Sequence, residues 1–237
     1  MKQHKILSID TSSKVLAMAL ASDDDVLLEM NCSDEFRHIE TLFVLLKQAL
    51  DKIKWTIDDI DIIVCGLGPG SFTGLRVGAA AVKGFASTGG KKIIGVSSLD
   101  VIAQNVSFDT ECAVVVDARR SRIYTAFYSV LGNIYKKKSG DILLGYKELR
   151  SRIRTKQVKN KIALCGDALK LYGNELKKDF GEDILFLPEK MWYPGGRNII
   201  KCARNKIDKG EYISLSDVLP RYLFSSNVQI LKKQKKK

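Results

Sequence analysis

Two segments hold the residue types with the most chemical potential in this chain: GLGPGSFTGLR at residues 66–76 and SIDTSS at residues 8–13. The first has four glycines and a proline, and a small-residue stretch follows it. That pattern reads as a turn feeding a helix, and a helix N-terminus offers free N–H groups to an anion. A phosphate loop needs G-x-x-x-x-G-K-[ST], in which the lysine reaches the outer phosphates. Here the next lysine is Lys83, too far along. The dinucleotide pattern G-x-G-x-x-G also fails, because Ser71 and Thr73 stand where the third glycine belongs. A packing role fits better. Pro69-Gly70 makes the turn, and Ser71 or Thr73 caps the helix through its hydroxyl. Gly74, Gly78, Ala79, Ala80, Ala81 and Gly84 give that helix a flat surface. Each helical glycine costs roughly 1 kcal/mol relative to alanine, so something packs very close: the sheet, a neighbouring helix or another chain.

Metal and nucleophile chemistry find little support. The only histidines are His4 and His38, and Leu42 stands four positions after His38. One histidine does not assemble a three-ligand catalytic zinc site without suitably placed carboxylates. No serine or cysteine has a histidine partner in a nucleophile turn. No metal and no cofactor are expected. The five cysteines are scattered without a CxxC pair and read as reduced packing thiols of a cytoplasmic protein.

The elements around these segments alternate regularly. Strands are expected at 5–10, 15–22 and 26–32, a helix at 34–53, a strand at 61–67, a helix at about 73–88, a strand at 92–97 and a short helix after it. The order returns at 112–117, 122–130, 133–139, 146–153 (helix), 161–166, 167–179 (helix), 184–188 and 194–207 (helix). A duplicated βββαβαβα order predicts mixed sheets with helices on their faces. The expected units are an N-terminal lobe at 1–108, a C-terminal lobe at 109–231 and a basic tail at 232–237. Of 237 residues 45% are hydrophobic, and no apolar run approaches the length of a membrane span. Residues 1–110 hold 11 Lys/Arg against 14 Asp/Glu, whereas 111–237 hold 28 against 13. No basic stripe interleaved with aromatic residues is visible, so composition alone does not call for direct nucleic-acid binding.

An aspartate ending the first strand, followed by hydroxyl residues, resembles the opening of the actin/sugar-kinase/Hsp70 superfamily. The expected fold is therefore α/β, a two-lobed actin-like (ASKHA) fold. Its nucleotide binders usually carry D-x-G-[ST] in the first hairpin; here Thr11-Ser12-Ser13 follow Asp10, and Asp117 in VVVDARRSRIY likewise lacks the glycine. With CGDAL at 165–169, the resemblance implies a degraded nucleotide site at Asp10, Thr11, Ser12, Asp117, Gly166 and Asp167. A small-molecule kinase and an M22-type metallopeptidase are the rival readings; the missing glycines argue against the first and the two isolated histidines against the second.

The segments ILSIDTSS, GLGPGSFTGLRVGAAAVKGFA, IIGVSSLDVIA, VVVDARRSRIY, CGDAL and LPRYL together resemble the TsaB (YeaZ) family, in family order over nearly the whole chain. The family's C-terminal P-x-Y-L-R is here Pro220-Arg221-Tyr222-Leu223-Phe224, without the arginine. The resemblance implies a non-catalytic subunit, a pseudo-enzyme in tRNA threonylcarbamoyladenosine formation. Its partners would be a TsaD-like catalytic paralogue and a TsaE-like ATPase, with a homodimer when alone, tRNA contacted indirectly through the complex, and no membrane. The pairing surface is expected on Phe36, His38, Thr41, Leu42, Leu45, Leu46 and Ala49 of the first helix. The second helix would add Ser71, Phe72, Thr73, Arg76, Val77, Ala80, Ala81 and Gly84. In this reading Phe36, Ile39, Phe43, Leu46, Leu50 and Ile53 form the core stripe of the first helix, and Leu42, Leu45 and Ala49 form a second apolar side.

The tail has five lysines in six residues and no aromatic stacker, so it should add electrostatic attraction to tRNA without base readout. Deleting 232–237 is expected to weaken tRNA association mainly at low salt. An equal loss at every salt concentration, measured by filter binding, would refute a counterion-release origin.

Overall fold

Strand β2 (Val15–Ser22), with the sequence VLAMALAS, sets the layering of the first lobe. Successive strand side chains point to opposite faces. Leu16, Met18 and Leu20 therefore enter one core, and Ala17, Ala19 and Ala21 enter another. The structure, a computed structural model, describes residues 3–33, 38–132, 134–156 and 161–223. β2 pairs antiparallel with β1 (Lys5–Asp10) and β3 (Asp25–Ser33); β1 pairs in parallel with β4 (Ile62–Gly66), and β4 with β5 (Lys92–Val96). The sheet order is β3-β2-β1-β4-β5.

The second half repeats that order. β6 (Thr110–Asp117), β7 (Ile123–Leu131), β8 (Ile134–Lys137), β10 (Ile162–Cys165) and β11 (Ile184–Phe186) stand as β8-β7-β6-β10-β11. A three-residue strand, β9 (Ile142–Leu144), shares the β8 edge of β7. It has no counterpart in the sequence expectation, because three residues are too few to show an alternation. The helices are α1 (His38–Ile53), α2 (Phe72–Ala86), α3 (Ser98–Ala103), α4 (Tyr146–Lys156), α5 (Leu169–Phe180) and α6 (Gly196–Lys209). A duplicated βββαβαβα chain with two mixed sheets of one order is the two-lobed actin-like architecture.

Packing cuts across the expected division into 1–108 and 109–231. α1 and α2 cover one face of the first sheet, and α4 and α5 cover one face of the second. The last helix of each half crosses over. α3 lays Leu99, Ile102 and Ala103 on Cys112, Val114 and Val116 of the second sheet. α6 lays Ile199, Ile200, Ala203 and Ile207 on the alanine row of β2 and on Ile6, Ile62 and Ile94. Those alanines make a shallow surface, and a Cβ at Gly196 would overlap the backbone of Met18, so only a glycine lets α6 begin there. Ser8 Oγ donates to the Gly196 carbonyl at 2.9 Å. The chain then stays on the first lobe: Ile213 bridges to Ile93, Val218 is fully buried beside α1 and α2, and Arg221 N–H donates to Leu67 O at 2.8 Å. Residues 196–221 thus belong by contact to the first lobe, and α3 to the second.

Gly74 and Gly78 of α2 face the hairpin between β1 and β2. Ser71 is the N-cap and accepts from Gly74 N–H at 3.2 Å. A Cβ at Gly74 would overlap the Thr11 carbonyl oxygen, and one at Gly70 would overlap the Ser12 carbonyl oxygen. Gly84, nearly three turns beyond Gly74, has nothing within 4 Å of its would-be Cβ. Gly74→Ala should therefore destabilise the chain by about 1–3 kcal/mol through overpacking. Gly84→Ala should leave it unchanged or stabilise it by up to about 1 kcal/mol through helix propensity. Urea midpoints at one protein concentration test the pair; equal losses at both sites would refute the close approach at the hairpin.

Candidate functional site

The site suggested by the resemblance lies at the Asp10–Ser13 turn, and the chain itself fills it. Thr11 Oγ1 donates to Gly74 O at 2.7 Å, and Ser71 N–H donates to Ser12 O at 2.6 Å. The first turn of α2 therefore rests on the hairpin backbone that would have to approach a phosphate. Asp10 is fully buried beneath it. Its carboxylate accepts from Ser12 N–H and from Ser98 Oγ, both at 2.7 Å, and Ser98 Oγ accepts in turn from Gly68 N–H at 3.2 Å. A Cβ at Gly66 would overlap the Asp10 carboxylate, which accounts for the first glycine of the motif. Ser98 gives no sign of this role in the sequence; it is one hydroxyl among several at a helix start.

The second-lobe residues form a separate network. Asp117 N–H donates to Asp167 Oδ1 at 2.9 Å, and Arg119 N–H donates to Asp117 Oδ1 at 2.8 Å. Burial raises the Asp167 carboxyl above its ordinary value. Gly166 is held at φ +121°, where a Cβ would overlap Val115 O. The structure therefore groups Asp10, Thr11 and Ser12 in one cluster and Asp117, Gly166 and Asp167 in another, each engaged with its own partners.

Between the first hairpin and the 189–198 segment lies an open cavity of about 530 Å³, lined by Lys14, Glu29, Asn31, Asn105, Glu189, Tyr193, Arg197 and Asn198 among others. Several of its charges are paired: Glu189 meets Lys170 at 2.6 Å and Lys14 at 3.5 Å, and Arg197 meets Glu29 at 3.6 Å. Gly196 N–H and Arg197 N–H, at the start of α6, donate to Asn31 Oδ1 and Glu29 Oε1. The anion position at that helix N-terminus is thus taken by the chain's own Glu29. Among the described residues no three His, Cys, Asp or Glu side chains are grouped to hold a metal ion, and no helix is long and apolar enough to cross a membrane.

On the α1–α2 face the expected residues divide. Leu42, Leu46, Ala49 and Ala81 are buried in the chain's own core, with Leu42 fully inaccessible. This corrects the expected phase of α1: Leu42, Leu46, Ala49 and Leu50 form its core stripe, while Phe43 (49% exposed) and Val44 (54%) face outward. The sheet selects the Leu42 side because Leu16, Met18 and Leu20 meet it there; an apolar helix with two greasy sides does not state which is inward. Thr41, Leu45 and Val77 are half-buried, and Ser71, Phe72, Thr73, Arg76, Ala80 and Gly84 are exposed. Phe36 lies outside the described residues, as do Phe224 and the lysine tail, and the His38 side chain is likewise outside the description. Sequence reasoning missed Tyr222, which stacks on Phe72 with centroids 4.8 Å apart and accepts from Arg76 Nε at 3.1 Å.

Residues 35–191 match the family described as TsaD, tRNA N6-adenosine threonylcarbamoyltransferase. The chain is 38% identical over 125 residues to an uncharacterized protein of Mycobacterium tuberculosis, covering 52% of this chain and 58% of the relative. It is 35% identical over 124 residues to the tRNA threonylcarbamoyladenosine biosynthesis protein TsaB of Bacillus subtilis, covering 52% and 54%. The chain thus spans just over half the length of those two curated relatives. In structure it is similar to YeaZ from Pseudomonas aeruginosa, with a TM-score of 0.78 at 21% identity, over 93% of this chain and all of that one.

Burial raises the Asp10 carboxyl above its ordinary value of 3.8, although the bonds from Ser12 and Ser98 oppose the shift. The native state then holds the Asp10 proton to higher pH than the unfolded chain does. Its contribution to stability is fully present below the unfolded value and falls as pH rises towards the native one. The melting temperature of the native chain relative to Asp10→Asn should therefore drop as pH rises above about 4, the unfolded carboxyl value. A difference that stays constant over that range would contradict the burial argument.

Proposed function

The chain belongs to the family described as TsaD, and we propose that it is a member of the TsaB/YeaZ type that serves tRNA threonylcarbamoyladenosine biosynthesis as a non-catalytic subunit. In this reading it docks on a TsaD-like catalytic paralogue, joined by a TsaE-like ATPase, and pairs with itself when alone. The observation that carries the non-catalytic role is the filled hairpin. Phosphate binding at the end of β1 needs free backbone N–H groups with room beside them. Here Ser12 N–H is spent on Asp10, and α2 occupies the space above Thr11 and Ser12. Opening that site would lift α2 off its own sheet.

Support for α1–α2 as the pairing surface comes from the residues left outside the core. Phe43, Val44 and Phe72 are about half exposed on adjacent helices. Phe43 meets Phe85 edge-on at 5.6 Å, while Ala80 and Gly84 keep the α2 backbone accessible. Exposed apolar side chains gathered on two packed helices are a common mark of a partner surface. Two helices from each partner would make a four-helix contact, on the order of 1,600 Å² if of standard size.

The test is reconstitution with the paralogue, the ATPase and unmodified tRNA. Modification is expected to require this chain, which alone should show no ATP turnover. Phe43→Glu should keep its melting temperature yet lose pairing and stimulation, at the roughly 30-fold level of a 2 kcal/mol hot spot. Leu42→Glu should unfold instead. A folded Phe43→Glu that still pairs and stimulates would move the interface elsewhere.

A further inference from the structure

The two lobes carry equivalent hairpins at the ends of β1 and β6, and they have opposite fates. In the first, Thr11 and Ser12 are buried under α2. In the second, Arg119, Arg120, Ser121 and Arg122 are all exposed. Arg119, Arg120 and Ser121 stand in succession at φ 62°, 52° and 57°. L-residues disfavour that region, and a run of three without glycine persists only where the surrounding structure enforces it; such strain gathers at ligand clamps and switch regions.

What enforces it is visible. Asp117 Oδ1 accepts from Arg119 N–H, Asp167 Oδ1 accepts from Asp117 N–H, and Ala118 N–H and Arg122 N–H close the loop on Arg122 O and Arg119 O, each at 3.0 Å. A glycine-containing turn would close the hairpin without the strain. This chain instead holds exposed Arg119, Arg120 and Arg122 in the turn. The basic surface continues beyond the hairpin. Ile123 pairs with Leu144, which sets Arg122 opposite Gly145 at the start of α4, and Arg122 Nη1 would lie 3.9 Å from a Cβ there. Exposed Lys147 follows on α4. Among the described residues Arg120, Arg122 and Lys147 have no carboxylate within ion-pair distance, and Arg119 has only Asp117, at 3.4 Å.

We infer that this hairpin and the start of α4 form a docking face for the phosphodiester backbone of an RNA. The inference rests on the reading of the chain as a tRNA-modification subunit, and it adds a direct contact on the second lobe, away from the α1–α2 face. Guanidinium groups match phosphate oxygens in charge and in their forked geometry. The aromatic beside these cations, half-buried Tyr146, is engaged by Tyr172 at 5.4 Å and by Asp179 at 2.8 Å, and repeated cations of this kind suit a backbone rather than a sequence. Residues 119–122 offer no apolar side chain to enter a bilayer.

The experiment measures the affinity of the full chain for an unmodified tRNA transcript by fluorescence anisotropy across a salt series. Arg120→Gln/Arg122→Gln should weaken binding several-fold near 0.1 M salt and lower the slope of log affinity against log salt by about 1.4–1.8, the share of two phosphate contacts. Arg120→Lys/Arg122→Lys should keep the slope. If the glutamine pair lowers the melting temperature, Arg120→Gln alone is read the same way, with a slope change of about 0.7–0.9. An unchanged slope in a folded variant overturns the inference. So does loss of binding to phosphatidylserine vesicles with tRNA binding intact, which would assign the face to a lipid surface. Failure of the chain to stimulate modification while the arginine-dependent slope stands defeats the functional reading alone. Full stimulation with an unchanged slope defeats this inference alone.

Discussion

The contact between the first turn of α2 and the Asp10–Ser13 hairpin holds the rest of the first lobe in place. Each partner has given something up to make it. The helix has glycine where its backbone meets the carbonyl oxygens of Thr11 and Ser12. The hairpin has hydroxyl residues where a nucleotide-binding relative would have glycine, and Thr11 spends its hydroxyl on the Gly74 carbonyl. Beneath them a fully buried carboxylate is tolerated because a backbone N–H and a serine hydroxyl satisfy it. Through Ser98 the same carboxylate reaches the start of α3, and the contact extends towards the second lobe.

Exchange of α3 and α6 makes the two lobes interdependent. Each sheet is apolar on both faces, and each half of the chain supplies two helices for one face only. The remaining face is covered by the last helix of the other half. Neither lobe would keep its core if separated at the linker, because α3 and α6 would each be lost to the wrong piece. The segment after α6 adds to this coupling: Val218 enters the first core and Leu223 packs against the second. Such a frame presents the α1–α2 surface with little room for internal rearrangement.

The duplication also separates two tasks that begin from one hairpin design. In the first lobe a helix has closed over the hairpin and turned it into packing. In the second the hairpin stays open, and its carboxylates shape a loop that carries positive charge outward. Asp117 and Asp167 are engaged with backbone N–H groups, which fixes the loop geometry.

Much of this was legible in the sequence. Short apolar strands between polar turns, the three-four spacing of α1 and the recurrence of one element order pointed to the elements and the duplicated mixed-sheet plan, because strand and helix patterns are local properties. The glycine-rich turn was legible as a close-packing site, since no lysine followed to reach a phosphate. Other features were settled only by tertiary structure. Which apolar side of α1 faces inward depended on where Leu16, Met18 and Leu20 lie across the sheet, so Leu42 went in and Phe43 out. Which sheet α6 would cover depended on a row of alanines some 180 residues away and on the absence of a Cβ at Gly196. The partner of Asp10 was a serine 88 positions on. Hydrogen bonds and packing between distant segments follow from how the chain is folded back on itself, and local spacing carries no record of them.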